Sequence, residues 1–144
     1  MDFLTAMQIG GSALKAERAR LNITAMNIAN ANTTRTIEGG PYRAKSVIFA
    51  AKPVERDFKS TLASAKEGLR GVEVVDVVED KAPFKEIYDP THPDADKNGM
   101  VKMPNVNVVE QMVDMMNARR AYEANVTALD AVKSMALRAL DIGK

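Results

Sequence analysis

The chain has 144 residues, of which 46% are hydrophobic but only 5% aromatic, and its 20 Lys and Arg residues nearly balance its 19 Asp and Glu residues. This length fits one domain of ordinary size, and a balanced charge without a basic stripe argues against a nucleic-acid partner. The chain contains no cysteine, which excludes disulfides, zinc–thiolate sites and thiol nucleophiles.

The first predicted element is a long helix from Phe3 to about Ala29, because no proline interrupts this stretch. Alternating steps of three and four residues pick out a mainly apolar heptad seam along it. The seam positions are Leu4, Met7, Gly11, Leu14, Arg18, Leu21, Ala25 and Ile28. The alternative is an amphipathic helix packed on a globular core. The same stretch lacks the basic start and the continuous apolar core of a secretory signal, so we expect no export by an ordinary cleaved signal peptide.

Residues 31–105 are predicted to form a different, extended and β-containing region. Two stretches rich in β-branched residues, SVIFAAKPV (46–54) and GVEVVDVVED (71–80), are predicted as strands, and FKEIYD (84–89) could be a third. Between the first two, DFKSTLASAKEGLRG (57–71) has a mixed periodicity and is predicted as a loop or a short helix.

The last predicted element is a second long helix from Val108, with Asn105 or Asn107 as its cap and Gly143 where it should stop. Alternating steps of three and four residues give this second helix a heptad seam as well. Its positions are Met112, Met115, Arg119, Tyr122, Val126, Leu129, Lys133, Ala136 and Leu140. The helix is also apolar well beyond one stripe, so it must be covered on several sides. Because the chain has only one other long helix, we expect packing between molecules; the alternative is the central helix of a small bundle.

The stretch HPDADKNG (92–99) contains the residue order that opens an EF-hand calcium loop. Counting from Asp94 places Asn105 at position twelve, where the loop needs a bidentate Glu. Prolines also stand on both sides, where an EF-hand has helices. Since Asp, Asn and Gly form tight turns through side-chain bonds to the backbone, we predict a turn that binds no calcium.

No other stretch predicts a catalytic, cofactor or metal site. His92 is the only histidine, and without cysteine it cannot complete the usual zinc sets. No paired nucleophile identifies a hydrolytic triad. Gly39-Gly40-Pro41 is too short for a phosphate-cradling loop, which needs a glycine-rich turn leading into a helix with Lys. We therefore predict neither an enzyme nor a bound cofactor.

The first helix ends in an unusually polar stretch, NIANANTTRT (27–36), with three Asn residues. A helix C-cap explains one of them but not all three. The pattern N-x-A-N-x-x-T is formed by Asn27, Ala29, Asn30 and Thr33, and it resembles the N-terminal signature of the bacterial flagellar basal-body rod proteins.

Within that family, the sequence is most similar to the C-type subunits of the proximal rod. Many members continue with Thr-x-Gly-Tyr, whereas this chain reads TTRT and then EGGPY, which resembles the C-type form. Two later stretches, YDPTHPDADKNGMVKMPNVN (88–107) and RRAYEANV (119–126), also resemble the family. Residues 52–70 carry no family motif. The motif residues are Asn27, Ala29, Asn30, Thr33, Gly39, Gly40, Pro41, Tyr42, Asp94, Asp96, Gly99, Pro104, Asn105, Tyr122 and Glu123.

The resemblance implies an α+β fold in which residues 1–30 and 106–144 pair as a coiled-coil-like inner domain, with residues 31–105 as an outer domain. It implies a structural subunit that polymerises through its terminal helices into the helical drive-shaft tube of the proximal rod. That tube transmits motor torque and conducts exported subunits. The implied assembly interface is Leu4, Met7, Leu14, Leu21, Ile28, Met112, Met115, Tyr122, Val126, Leu129 and Leu140.

The implied partners are further copies of the chain, other rod proteins, the adjoining membrane ring and export gate, and the flagellar type III export apparatus. The implied location is the periplasmic rod of the basal body, reached without a cleaved signal. No stretch is long and apolar enough for direct insertion into a membrane. A cytosolic coiled-coil adaptor, a calcium-binding module and a small enzyme stay open as alternatives.

Overall fold

A computed structural model describes residues 3–54 and 69–142. In chain order the elements are α1 (Phe3–Ala29), β1 (Lys45–Pro53), β2 (Arg70–Glu79), β3 (Lys85–Tyr88), β4 (Met100–Met103) and α2 (Val108–Ile142). Two long helices packed together with a small β-containing middle confirm the predicted α+β class. Most of the stretch predicted as loop or short helix, 57–68, lies outside the described residues, as does the predicted helix stop at Gly143.

The two helices are long because nothing within them breaks the pattern. α1 has 27 residues and α2 has 35, which at ~1.5 Å per residue gives lengths of roughly 40 and 52 Å. Asn107 directly precedes α2, and its carbonyl accepts the bond from the Gln111 amide at 3.0 Å. Asn107 is therefore at the cap position. Asn105 has another role, described below.

The strands form two separate two-stranded sheets, β1 with β2 and β3 with β4. β3 and β4 are antiparallel, with Lys85 opposite Met103 and Tyr88 opposite Met100. The sequence did not predict β4, because its pairing with β3 depends on the turn between the two strands and not on a pattern within its own residues. β4 forms because the stretch between the two strands turns the chain back on itself, with the Asp89 amide donating to the Gly99 carbonyl at 2.9 Å.

The chain divides into two compact units. One contains Met1–Ala19, Ile48–Asp76 and Ala118–Lys144, and the other contains Arg20–Val47 and Val77–Asn117. Each unit therefore includes part of both helices and part of both strands β1 and β2. The predicted division into a terminal-helix domain and a middle domain stays a prediction.

In the first unit, α1 contacts both α2 and β2 through small residues. The Ser12 hydroxyl donates to the Ile9 carbonyl at 2.7 Å and accepts from the Val72 amide at 3.0 Å. Gly10 lies directly against Leu129, because a Cβ added at Gly10 would come within 2.5 Å of the Leu129 Cδ2 atom. A glycine here lets Leu129 pack onto the backbone of α1.

In the second unit, the core is small and lies where the loop after α1 meets the start of α2. Tyr42, Ala44 and Val106 form its buried cluster, with Ala31 packed against them. Val101 and Pro104 are also buried. Such a core holds the helix ends and the β3–β4 hairpin together.

Candidate functional site: a buried asparagine and the exposed helix faces

Asn27 is a buried junction at the end of α1. Its side-chain amide donates to the Lys45 carbonyl and to Gln111 Oε1, both at 2.8 Å. Its side-chain oxygen accepts from the Lys45 amide and from the Tyr42 hydroxyl, both at 2.9 Å. Asn27 is only 2% exposed, and these four bonds use its two donors and its acceptor oxygen fully. One side chain thus joins α1, the start of β1 and α2.

Asn30 has a different, local role. Its side-chain amide donates to the Met26 carbonyl at 2.9 Å, and its side-chain oxygen accepts from the Thr33 hydroxyl at 3.2 Å. The Thr33 amide also donates to the Asn30 carbonyl. Asn30 therefore ends α1, just after the last helical residue Ala29, while Asn27 makes the tertiary junction. The sequence signature N-x-A-N-x-x-T combines a junction with a helix stop.

The loop after the signature, residues 34–41, is a tight turn. The Thr36 amide donates to the Gly40 carbonyl at 2.9 Å, and the Gly39 amide donates to the Thr36 carbonyl at 3.1 Å. Gly39 and Gly40 have φ angles of 89° and 81°, a conformation that side chains with a Cβ disfavour. Pro41 then leads to Tyr42, whose amide returns to the Thr33 carbonyl at 3.0 Å. The GGP sequence is needed to close this turn.

The HPDADKNG stretch supports that loop. The Asp94 carboxylate accepts from the Thr34 hydroxyl at 2.8 Å. The Asp96 carboxylate accepts from the amides of Asn98 and Met100 at 2.8 and 2.9 Å. Both carboxylates therefore bind donors of the protein itself, and the predicted turn is confirmed.

Asn105, at the position where calcium would need a bidentate carboxylate, fixes the neighbouring strand end. Its side-chain oxygen accepts from the Ala44 amide at 2.8 Å, and its amide lies 3.4 and 3.3 Å from the carbonyls of Asp80 and Ala82. Within residues 3–54 and 69–142, no group of three or more His, Cys, Asp or Glu side chains could hold a metal ion.

We expect the full chain to show no saturable heat of calcium binding in isothermal titration. The reason is that Asp94 and Asp96 accept hydrogen bonds within the chain, while Asn105 presents a neutral amide. Asp94→Ala is the control, and its titration should match that of the wild type. Saturable binding that Asp94→Ala abolishes would contradict the turn interpretation.

Tyr42, in the loop before β1, donates its hydroxyl hydrogen bond to the buried side chain of Asn27. Burial, followed by the nearby charge of Glu79, raises the pKa of the Tyr42 hydroxyl above its ordinary value. The hydroxyl therefore stays protonated and donates to Asn27 at neutral pH. Because its pKa in the folded state is raised, its contribution to stability is fully present below the ordinary tyrosine pKa. That contribution is lost as pH rises through the folded value.

We expect Tyr42→Phe to lower the free energy of unfolding by about 1 kcal/mol, the usual net worth of one hydrogen bond. The loss stays small because the Asn27 oxygen keeps the Lys45 amide as a donor. Urea unfolding followed by circular dichroism measures it. The matched control is Tyr88→Phe at an exposed position, which should leave the midpoint unchanged. An equal loss in both variants would show that the Tyr42 hydroxyl has no special role.

The faces of the two helices that are buried within the chain carry mainly small or polar residues. On α1 the buried residues are Thr5, Ala16, Thr24 and Asn27, and on α2 the buried residue is Ala118. The Arg20 guanidinium also reaches the Asp114 carboxylate at 3.4 Å. The less exposed side of α2 follows alternating steps of four and three. It consists of Gln111, Asp114, Met115, Ala118, Ala121, Tyr122, Asn125, Leu129, Val132 and Ala136.

The register of this buried side differs from the predicted seam at every second position. Of the predicted residues, Leu14, Leu21, Ile28, Met115, Tyr122 and Leu129 are half-buried. Leu4, Met7, Met112, Val126 and Leu140 are exposed. At these positions the predicted seam has Met112, Arg119 and Val126, which are exposed. The residues one position earlier, Gln111, Ala118 and Asn125, lie on the buried side. Short or hydrogen-bonding side chains are suited to a helix pair that approaches closely.

The large apolar residues of the helices are consequently in contact with water. On α1 these are Phe3, Leu4, Met7 and Met26. On α2 they are Val108, Val109, Met112, Val113, Met116, Val126, Met135, Leu137, Leu140 and Ile142. Exposed large apolar side chains in this number indicate an interaction surface on a folded protein. The RRAYEANV motif adds a local ion pair, Arg119 with Glu123 at 2.8 Å, which is exposed and contributes little to stability.

Comparison with known proteins places both ends of the chain in one family. Residues 7–35 match the family model described as "Flagella basal body rod protein", and residues 97–142 match "Flagellar basal body rod FlgEFG protein C-terminal". The chain is 44% identical to the flagellar basal-body rod protein FlgC of Salmonella typhimurium over 144 residues, covering 100% of both chains. It is 42% identical to FlgC of Bacillus subtilis, covering 96% of this chain and 97% of the relative. The chain belongs to the FlgC family of flagellar basal-body rod proteins.

This membership confirms the resemblance read from the Asn27 signature and the TTRT–EGGPY stretch. A third relative, FlgC of Borreliella burgdorferi, is 42% identical, covering 99% of this chain and 98% of the relative. The chain is a structural protein of the flagellar basal-body rod. The two family models match the segments that contain Asn27 and Gln111, the two helix residues of the buried junction. In the part of the chain that the structure describes, no helix is long and apolar enough to cross a membrane.

Proposed function

We propose that this rod protein polymerises through its terminal helices, with copies of itself and with other rod proteins, into the helical tube of the proximal rod. The observation that supports this most is that the helices bury small and polar residues within the chain and expose large apolar ones. Small and polar residues such as Ala16, Thr24 and Ala118 are buried within the chain, while bulky residues such as Met112 and Leu137 are exposed. A protein that functioned alone would bury the bulky residues first, because burial of apolar area is the main stabilising term in folding.

The size of the exposed surface requires neighbours. Fully burying one Leu or Met side chain contributes about 1.5–3 kcal/mol, and α2 alone exposes ten large apolar side chains within the described residues. Because they lie on more than one side of the helix, one partner helix cannot cover them all. Methionine packs adaptably against surfaces of different shape, which suits contact with several non-identical rod proteins.

A tube follows when such contacts repeat without closing. A heterologous contact, in which one patch binds a different patch of the next copy, produces a helical filament if the rotation does not close into a ring. Assembled in this way, the subunits transmit torque as a shaft and enclose a channel for exported proteins. We further propose that the chain reaches the periplasmic rod through the flagellar type III export apparatus without a cleaved signal. There it contacts the adjoining membrane ring and export gate, and it has no enzymatic activity.

The test is complementation of a strain that lacks this gene. Null cells should be non-motile and build no rod beyond the membrane ring, and a tagged wild-type chain should restore both swimming and rods. The tagged chain should be present in purified basal bodies, at a size that shows no cleavage. Null cells that swim with complete rods would exclude the proposal.

We expect the isolated subunit to be a monomer whose helix ends order fully only on assembly. Residues 137–142 of α2 are all exposed, and an isolated helical turn without packing is unstable in water. Hydrogen exchange should be fast at residues 137–142 and slow around Asn27 and Val106, which are buried. In purified basal bodies the same helix end should exchange far more slowly. Strong protection of residues 137–142 in the monomer would indicate a self-sufficient bundle.

A further inference from the structure

The tip of the loop between α1 and β1 presents an aliphatic side chain to solvent. Ile37 is fully exposed, with a relative accessibility of 108%. An exposed apolar residue at the tip of a loop has no stabilising role within the chain. Ile37 is therefore accessible for contact with another molecule.

The loop holds Ile37 in one place. The Thr36 hydroxyl and amide both reach the Gly40 carbonyl, at 3.2 and 2.9 Å, and the Asp94 carboxylate accepts from Thr34. A side chain presented by a turn that is already ordered loses little conformational entropy when it binds. The Ile37 side chain is thus preorganised for binding, unlike a side chain on a flexible loop.

A surface of matching chemistry lies on α2 in the same unit of the chain. It is formed by Val109, Met112, Val113 and Met116, all exposed. At 3.6 residues per turn, these positions lie on the side of α2 opposite to Gln111 and Ala118, which face the interior. We call the four residues the α2 patch. The packing of the chain on itself leaves this patch open.

Charges at the two sites are complementary. Ile37 has Arg35 before it and Glu38 after it, and the α2 patch has Glu110 near its start and Arg120 just beyond its end. All four charged residues are exposed. Within the described residues, none of the four forms an ion pair inside the chain. Each site thus has one basic and one acidic residue, and the docking orientation that pairs opposite charges joins Arg35 with Glu110 and Glu38 with Arg120.

From these observations we propose that Ile37 of one subunit docks on the α2 patch of a second copy of this chain. This inference rests on the proposed polymerisation and names one of its contacts. Loop and patch are different surfaces, so the contact is heterologous and repeats from copy to copy. A stable interface needs roughly 1,000 Å² or more of buried surface, which one side chain cannot supply. The contact of Ile37 with the α2 patch therefore sets the register of a larger interface between helices.

The absence of cysteine from the chain allows a direct test in basal bodies. Two differently tagged versions, one with Ile37→Cys and one with Met116→Cys, are co-expressed in the null strain, and purified basal bodies are mildly oxidised. A disulfide forms only when the two Cα atoms come within about 7 Å. We expect a linked dimer that carries both tags. Met135→Cys replaces Met116→Cys as the control, because it is also exposed on α2 but lies outside the patch, and it should give no dimer.

Charge exchange supplies an independent readout. Glu38→Arg and Arg120→Glu should each reduce the amount of this chain recovered in basal bodies by about fivefold or more, because like charges would then face each other across the contact. The double variant should recover more than half of the wild-type amount. A double variant no better than either single one would overturn the charge pairing and with it the proposed orientation.

The remaining outcomes also decide the question. Basal bodies that contain both tagged chains but no dimer, or an Ile37→Cys chain linked to a different protein, would overturn docking on a second copy while leaving the proposed function intact. Absence of the wild-type chain from basal bodies would overturn the proposed function and the docking together.

Discussion

Asn27→Leu should lower the free energy of unfolding by about 3–6 kcal/mol, because leucine has a similar size but no hydrogen-bonding group. The change leaves the amide and carbonyl of Lys45, the Gln111 side chain and the Tyr42 hydroxyl without their partner. Each buried polar group left unsatisfied costs about 1–3 kcal/mol, reduced where water can reach it. Whole domains are stable by only about 5–15 kcal/mol. The variant should therefore be largely unfolded or degraded in cells.

Urea unfolding of the purified chain, followed by circular dichroism at the helix band, measures this loss. The matched control is Asn22→Leu, an exposed asparagine on the same helix, which should change the stability by less than about 0.5 kcal/mol. A loss below about 1 kcal/mol for Asn27→Leu would mean that water replaces the side chain without cost. The signature would then have to act in assembly and not in folding.

Much of the fold was accessible from the sequence because the strong signals are local. The helix bounds follow from the absence of proline and the position of Asn107, and α1 ends at Ala29, as predicted. The strands β1 and β2 follow from stretches rich in β-branched residues, and β3 lies within the predicted stretch FKEIYD. β4 was missed because its pairing depends on the turn at Asp96, which directs Met100 back towards Tyr88.

The side-chain junctions could not be predicted in the same way. The sequence showed that three asparagines were too many for one helix cap, but not that Asn27 reaches Gln111, 84 residues away along the chain. The heptad pattern also left open whether a seam residue faces the partner helix within the chain or a neighbouring subunit. Here the close approach at Gly10 and the polar contact at Arg20 and Asp114 put smaller residues on that side. In a subunit made for assembly, apolar periodicity alone cannot separate the internal face from the external ones.

The difference between internal and external helix faces predicts that Leu137→Asp affects assembly but not folding. Leu137 is 54% exposed near the end of α2, so the isolated subunit should lose less than about 0.5 kcal/mol of stability. In the proposed rod, however, a charge at this position would be buried against a neighbouring subunit, which costs several kcal/mol when it is unpaired. The same defect recurs in every copy. We therefore expect exported, soluble and folded protein, no rod beyond the membrane ring, and non-motile cells.

Two further variants separate assembly from folding. Val75→Asp makes a similar change at a residue on β2 that is 62% exposed, and because it lies outside the helices it should still build rods.

Leu129→Asp should also abolish rods, but for a different reason. Leu129 packs on Gly10 within the chain, so this variant should lower the free energy of unfolding by about 3 kcal/mol or more through lost burial and a charge in the helix pair. Electron microscopy of purified basal bodies, swimming assays and urea unfolding of each variant provide the comparison. If Leu137→Asp cells build normal rods and swim, the exposed face of α2 near Leu137 is not an assembly surface, and the polymerisation proposed here through the terminal helices is wrong.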